Sequence, residues 1–128
     1  MRQDEVIHEW HTANGGSFDR PAGHALRILH EVVELCVASG ARPLEVITAV
    51  QAEIGKATDK QEWDPHYSHR LAQEEWADCA ILMECFRHHA GIDAQEVIRQ
   101  KMVILTARKW ERDADGVLWR PGKAPRHG

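Results

Sequence analysis

The run Ala25-Leu26-Arg27-Ile28-Leu29-His30-Glu31-Val32-Val33-Glu34-Leu35-Cys36-Val37-Ala38 is apolar on almost every side, yet it carries two carboxylates. No Pro or Gly interrupts it. Its length and composition predict a helix from about Ala22 to Ser39, led in by Pro21 and closed by Gly40. Glu31 and Glu34 then project from neighbouring points of one face, roughly 60° apart around the axis. Glu75-Trp76-Ala77-Asp78 repeats the arrangement, with Leu71, Leu82 and Cys85 on the same stripe. Its helix is expected from about His66 to Ala90, ending at Gly91. Carboxylates drawn towards a core must be paired, protonated or bound to a cation.

Outward from these two helices the chain reads as mostly helical. Asp4 to Ala13 has helical character, with Val6, Ile7 and Trp10 on one side, until Asn14-Gly15-Gly16-Ser17 breaks it. That turn lacks the Lys-Ser/Thr that would make it a phosphate loop. Arg42-Pro43 opens a helix through roughly Ile54, and the polar stretch Gly55 to Pro65 reads as a loop. Asp93 with Glu96 forms a capping-box signature for a last helix reaching about Trp110. Asp113-Ala114-Asp115-Gly116 signals a turn, and Val117-Leu118-Trp119 a short strand or irregular chain. Arg120 to Gly128 reads as a loose tail. The expected fold is an all-α bundle of four main helices, a single domain over 1–116 with an irregular C-terminal tail over 117–128.

A chain of 128 residues fits one domain, and 43% hydrophobic with 28% charged residues is the balance of a soluble protein. A net charge of −4 gives no whole-molecule attraction for nucleic acid polymers or anionic membranes. The longest apolar stretch is broken by Glu31 and Glu34, so no membrane span is expected. Cys36, Cys79 and Cys85 form no CxxC motif and sit in apolar helical patterns, which predicts reduced core thiols of a cytoplasmic protein.

Either acidic pair has a plain reading: Glu31 pairs with Arg27 one turn back, and Glu75 is solvated beside Glu74. Two such pairs, each in an apolar helix, favour a metal site, and oxygen-only ligands point to Mg²⁺ or Mn²⁺. A di-iron bundle needs two Glu-x-x-His motifs, and only Glu5-x-x-His8 is present. His8 and His11 miss the zincin spacing, and His66, His69, His88 and His89 read as surface residues. Lys101, Arg108 and Lys109 complement a helix C-terminus, and beside a carboxylate cage they become candidates for phosphate oxygens. The spacing of Lys101 and Arg108 puts both on one helical face. Trp10 and Phe18 flank the Asn-Gly-Gly turn.

The order of Leu29-His30-Glu31-Val32-Val33-Glu34-Leu35, Glu75-Trp76-Ala77-Asp78-Cys79-Ala80-Ile81-Leu82, then Lys101-Met102 and Arg108-Lys109-Trp110 resembles the MazG-like all-α nucleotide pyrophosphohydrolases. Glu-Trp-x-Asp, Gly-Ile-Asp before the last helix and Arg-Lys-Trp after it look most like the dATP/dGTP diphosphohydrolase branch, which includes phage enzymes. The resemblance spans about residues 6 to 116. It implies that Glu31, Glu34, Glu75 and Asp78 bind two or more Mg²⁺ or Mn²⁺ ions. It implies cleavage of a nucleoside triphosphate, a purine deoxynucleotide by the branch likeness, to monophosphate and pyrophosphate. It also places His8, Trp10 and the stretch Asn14 to Phe18 near the base, and implies a homodimer or homotetramer. Leu105 stands where related members often carry Asn, so recognition of base or sugar by that position does not transfer. Gly40 to Pro65 matches poorly.

The expected chemistry is attack of a metal-activated water on the α-phosphorus, with Lys101, Arg108 and Lys109 as candidate phosphate-side cations and Arg27 as a further substrate-binding candidate. A non-catalytic helical oligomerisation module and a nucleotide-sensing module are the alternatives.

Overall fold

The chain ends its helices with backbone chemistry written into the sequence. In the computed structural model, which describes residues 1–60 and 63–125, five helices and one short hairpin are present among those residues. They are α1 Gln3–Ala13, α2 Pro21–Ala38, α3 Pro43–Asp59, α4 His69–Ala90, α5 Ala94–Ala107, β1 Glu111–Arg112 and β2 Leu118–Trp119. The fold is all-α. After α1, the Gly15 N–H donates to the Thr12 carbonyl (3.0 Å) and the Gly16 N–H to that of His11 (2.8 Å). The same paired closure follows α2, from Gly40 to Val37 and Ala41 to Cys36, and follows α4, from Gly91 to His88 and Ile92 to Arg87. Gly91 has φ +68°, a left-handed conformation that a side chain would resist.

The N-termini are equally explicit. Pro43 leads α3, where the Glu45 carboxylate accepts from the Arg42 N–H at 3.0 Å. Ser68 caps α4 by accepting from the Leu71 N–H at 3.3 Å, so the helix starts at His69 rather than His66. Asp93 caps α5 through the Glu96 N–H at 3.2 Å. The Glu96 carboxylate is taken by Arg99 and Gln100, so only the Asp93 half of the expected capping box is seen.

Two element boundaries differ from expectation in ways that matter. α3 continues through Gly55 to Asp59, helped by Thr58 Oγ1 donating to the Ile54 carbonyl and by the Lys56–Glu53 ion pair. Gln61 and Glu62 of the expected loop, and Arg126 to Gly128 of the expected tail, lie outside the described residues. α5 stops at Ala107, and Arg108 is extended (φ −91°, ψ 155°). Arg108 and Lys109 therefore leave the helix, and the shared face expected for Lys101 and Arg108 does not form.

The chain divides into two compact units: Met1–Arg20 with Ser68–Gly128, and Pro21–Tyr67. In the first, α1 packs on α5 and β1 pairs antiparallel with β2, Glu111 opposite Trp119 and Arg112 opposite Leu118. Val117, Leu118 and Trp119 are 3%, 6% and 8% exposed and, with Met102, are the buried hydrophobic residues among those described. Val117 to Trp119 were expected as a short strand or irregular chain at the head of the C-terminal tail. The strand forms as β2, and the hairpin makes Val117 to Trp119 the most deeply packed segment of the described residues.

The second unit is α2 and α3. Its only buried described residue is Gly23, and Val37, Leu44, Ile47 and Ile54 remain exposed. The cysteines follow this pattern: Cys36 is half-buried, and Cys79 and Cys85 are exposed because α4 buries no residue. They are free thiols but not core residues.

Candidate functional site

The two acidic pairs stand on helices from different units, Glu31 and Glu34 on α2 and Glu75 and Asp78 on α4. All four side chains are exposed. What distinguishes them from a solvated acidic face is their company. One turn either side of Glu31 and Glu34 lie Ile28 and Val37, the latter 67% exposed. Around Glu75 and Asp78 lie Leu71, Ile81 and Leu82, with Trp76 between the carboxylates 71% exposed. Each pair is thus set into an apolar stripe open to solvent, an arrangement that favours coverage by another surface.

Glu31 has one local partner from its own helix. The Arg27 guanidinium donates to it at 2.7 Å across one turn, as the plain reading of the sequence foresaw. Arg27 is the more sheltered of the two. Among the described residues, no group of three or more His, Cys, Asp or Glu side chains is placed to hold a metal ion. In kind, the donors of each pair suit a hard cation: two carboxylates offer only oxygen, and Mg²⁺ or Mn²⁺ takes such ligands while keeping water. A single pair supplies too few ligands for a closed site.

The residues expected near a base gather in the first unit. Trp10 meets Trp110 edge to face, with centroids 5.2 Å apart and planes at 84°, and Trp110 anchors itself through Nε1 to the Leu105 carbonyl at 3.0 Å. Asn14 Nδ2 donates to the Trp10 carbonyl at 2.8 Å. The Trp10 indole nitrogen is buried without a hydrogen-bond partner among the described residues. A buried N–H left so costs free energy that a ligand or water acceptor recovers. Phe18 extends from the following loop and is exposed. Arg108 and Lys109 immediately precede Trp110 in the chain. His8 on α1 and Lys101 on α5 are exposed.

No family model, curated protein or solved structure matches the chain.

Several residues of this region escaped the sequence reading. The Asp113 carboxylate accepts from the N–H groups of Asp115 (2.9 Å) and Val117 (3.0 Å) through one oxygen, and from Trp119 Nε1 (2.8 Å) through the other. It organises the hairpin turn. That turn also holds the loop after α1: the Ser17 N–H donates to the Gly116 carbonyl (3.0 Å) and the Arg20 N–H to that of Asp115 (3.2 Å). Arg20 pairs with the Asp115 carboxylate at 3.2 Å. Arg112 donates to Ser17 Oγ at 3.1 Å and also pairs with Asp19. The available signal was Asp-x-Asp-Gly followed by Val-Leu-Trp, a turn feeding an apolar strand.

Proposed function

We propose that the protein hydrolyses nucleoside triphosphates, purine deoxynucleotides by preference, to the monophosphate and pyrophosphate, as a MazG-like helical bundle working as a homodimer or homotetramer. The observation that carries this reading is the setting of both carboxylate pairs in exposed apolar stripes. Covering such a stripe takes the acids away from water, and acids so placed call for cations. Glu31, Glu34, Glu75 and Asp78 would hold Mg²⁺ or Mn²⁺. When bound, such ions supply an acidified water and neutralise phosphate charge.

The chain's own groups do the rest. Arg27 pairs with Glu31, and with that carboxylate engaged by a cation its guanidinium would be available to a phosphate oxygen. Arg108 and Lys109, the two residues before Trp110, would supply charge to the phosphates. Trp10, Trp110 and Phe18 offer ring surface on which a base can rest. Asn14 keeps the end of α1 fixed through the Trp10 carbonyl. His8 and Lys101 complete the substrate-binding set, Lys101 with the other cations.

Incubation with a panel of dNTPs and NTPs plus Mg²⁺ or Mn²⁺, following monophosphate and pyrophosphate, tests the reading. Glu31→Gln should lower kcat by about a hundredfold or more, since even partners outside the ligand set cost roughly 10–100-fold. Wild-type turnover in that variant, with the circular dichroism unchanged, rejects the assignment. The Arg27–Glu31 pair also supports a second reading, a non-catalytic oligomerisation or nucleotide-sensing module. An oligomerisation module predicts no effect of Mg²⁺ on stability, and a sensor predicts dNTP binding without pyrophosphate release.

A further inference from the structure

The loop from Asn14 to Arg20 and the hairpin turn from Asp113 to Gly116 interlock at close range. A Cβ on Gly116 would fall inside contact distance of the Ser17 backbone and hydroxyl. Two backbone hydrogen bonds cross between them, Ser17 to Gly116 and Arg20 to Asp115. Polar side chains close the same gap from both ends. Arg112 holds Ser17 Oγ and Asp19 together, while Ser17 Oγ donates to Asp19 Oδ2 at 3.0 Å, so the three side chains form a closed ring. Arg20 and Asp115 pair at the other end. Arg112 is itself fixed, because its backbone lies in β1 opposite buried Leu118. The α1 side of the loop is fixed too: the Gly16 N–H is bonded to the His11 carbonyl, and Gly16 lies so close under the His11 ring that no Cβ would fit.

We propose that Arg112 is a positioning residue that clamps the Asn14–Arg20 loop onto the C-terminal hairpin and thereby sets the shape of the nucleotide-binding end of α1. The word nucleotide-binding rests on the hydrolase reading above; the clamp does not. Arg112 touches no expected metal ligand, so its effect falls on ground-state binding rather than on the chemical step. The ring is half-exposed, so each charge contributes modestly, and its strength lies in joining groups that the backbone already brings together.

Amide hydrogen exchange and steady-state kinetics on Arg112→Gln, Asp19→Asn and Arg112→Lys test this. Exchange at Ser17 and Arg20 should quicken about three- to tenfold in Arg112→Gln and Asp19→Asn, with α5 amides unchanged. KM should rise by a similar factor with kcat within about twofold, and Arg112→Lys should recover part of both. The double variant Arg112→Gln/Asp19→Asn should be no worse than either single change. Unchanged exchange at Ser17 and Arg20 overturns the clamp, as does quickening that extends equally through α5. A fall in kcat at constant KM overturns the positioning role. Faster loop exchange in the variants, in a protein that hydrolyses no nucleotide, would keep the clamp and remove the hydrolase reading.

Discussion

At the scale of single residues, Asp113 carries more of the first unit than its place in a turn would imply. Its carboxylate satisfies two backbone N–H groups and the Trp119 indole. Asp113→Ala removes all three bonds at once and should cost about 3 kcal/mol in chemical denaturation followed by tryptophan emission. Asp113→Asn keeps one acceptor oxygen and should lose roughly half as much. The surface acids behave differently. The Arg42 backbone N–H, then its side chain, holds Glu45 below the ordinary value of 4.5. The Arg87 hydrogen bond does the same for Glu84, and those from Arg99 and Gln100 for Glu96. A depressed folded-state value means these bonds help the fold above the unfolded-state value and stop helping as pH falls through the folded one. Carboxyl titration by NMR should therefore find Glu45, Glu84 and Glu96 with midpoints below 4.5. Midpoints at or above it would mean that the caps and pairs do not persist in solution.

At the scale of elements, the helices were legible because their ends are spelled in local chemistry. Gly40 and Gly91 close α2 and α4, Pro43 opens α3, and Asp93 caps α5, each readable within a few residues. The overrun of α3 through Gly55 was not readable, because one glycine in a helix costs only about 1 kcal/mol and neighbouring pairs offset it. The early end of α5 was hidden for the opposite reason. Arg108-Lys109-Trp110 has adequate helical propensity, but Trp110 turns back to meet Trp10 and the Leu105 carbonyl. The hairpin's importance was least visible, since its partners, Ser17 to Arg20, lie far away along the chain. Two glycines give a contrast that can be measured. Gly91 has open space around it, so Gly91→Ala should cost about 1 kcal/mol from its left-handed backbone alone. Gly116 combines φ +89° with the Ser17 backbone in its way, and Gly116→Ala should cost about 3 kcal/mol. Equal losses would mean that the two turns do not interlock.

At the scale of the whole molecule, the sequence showed which residues are acidic and which faces apolar, but not what covers those faces. α2 and α3 have no buried apolar side chain, and Leu44 is 72% exposed. A segment so poor in core does not hold together by its own burial. In light scattering the protein should therefore run at a multiple of 14.6 kDa. Ile47→Asp, placing a charge on an exposed apolar position of α3, should shift it towards the single-chain mass. A single-chain mass at micromolar concentration would remove the homo-oligomer from the proposed function. No helix among the described residues is long and apolar enough to cross a membrane.

The first unit is also discontinuous, with Pro21–Tyr67 inserted between its two stretches. Ser17, Asp19 and Arg20 are tied down by Arg112, Asp115 and Gly116, which the ribosome delivers some ninety residues later. During synthesis α1 and its loop must wait, without their eventual partner, while everything between is made. Closing so long a loop carries an entropic cost, and a prematurely truncated chain never reaches that step.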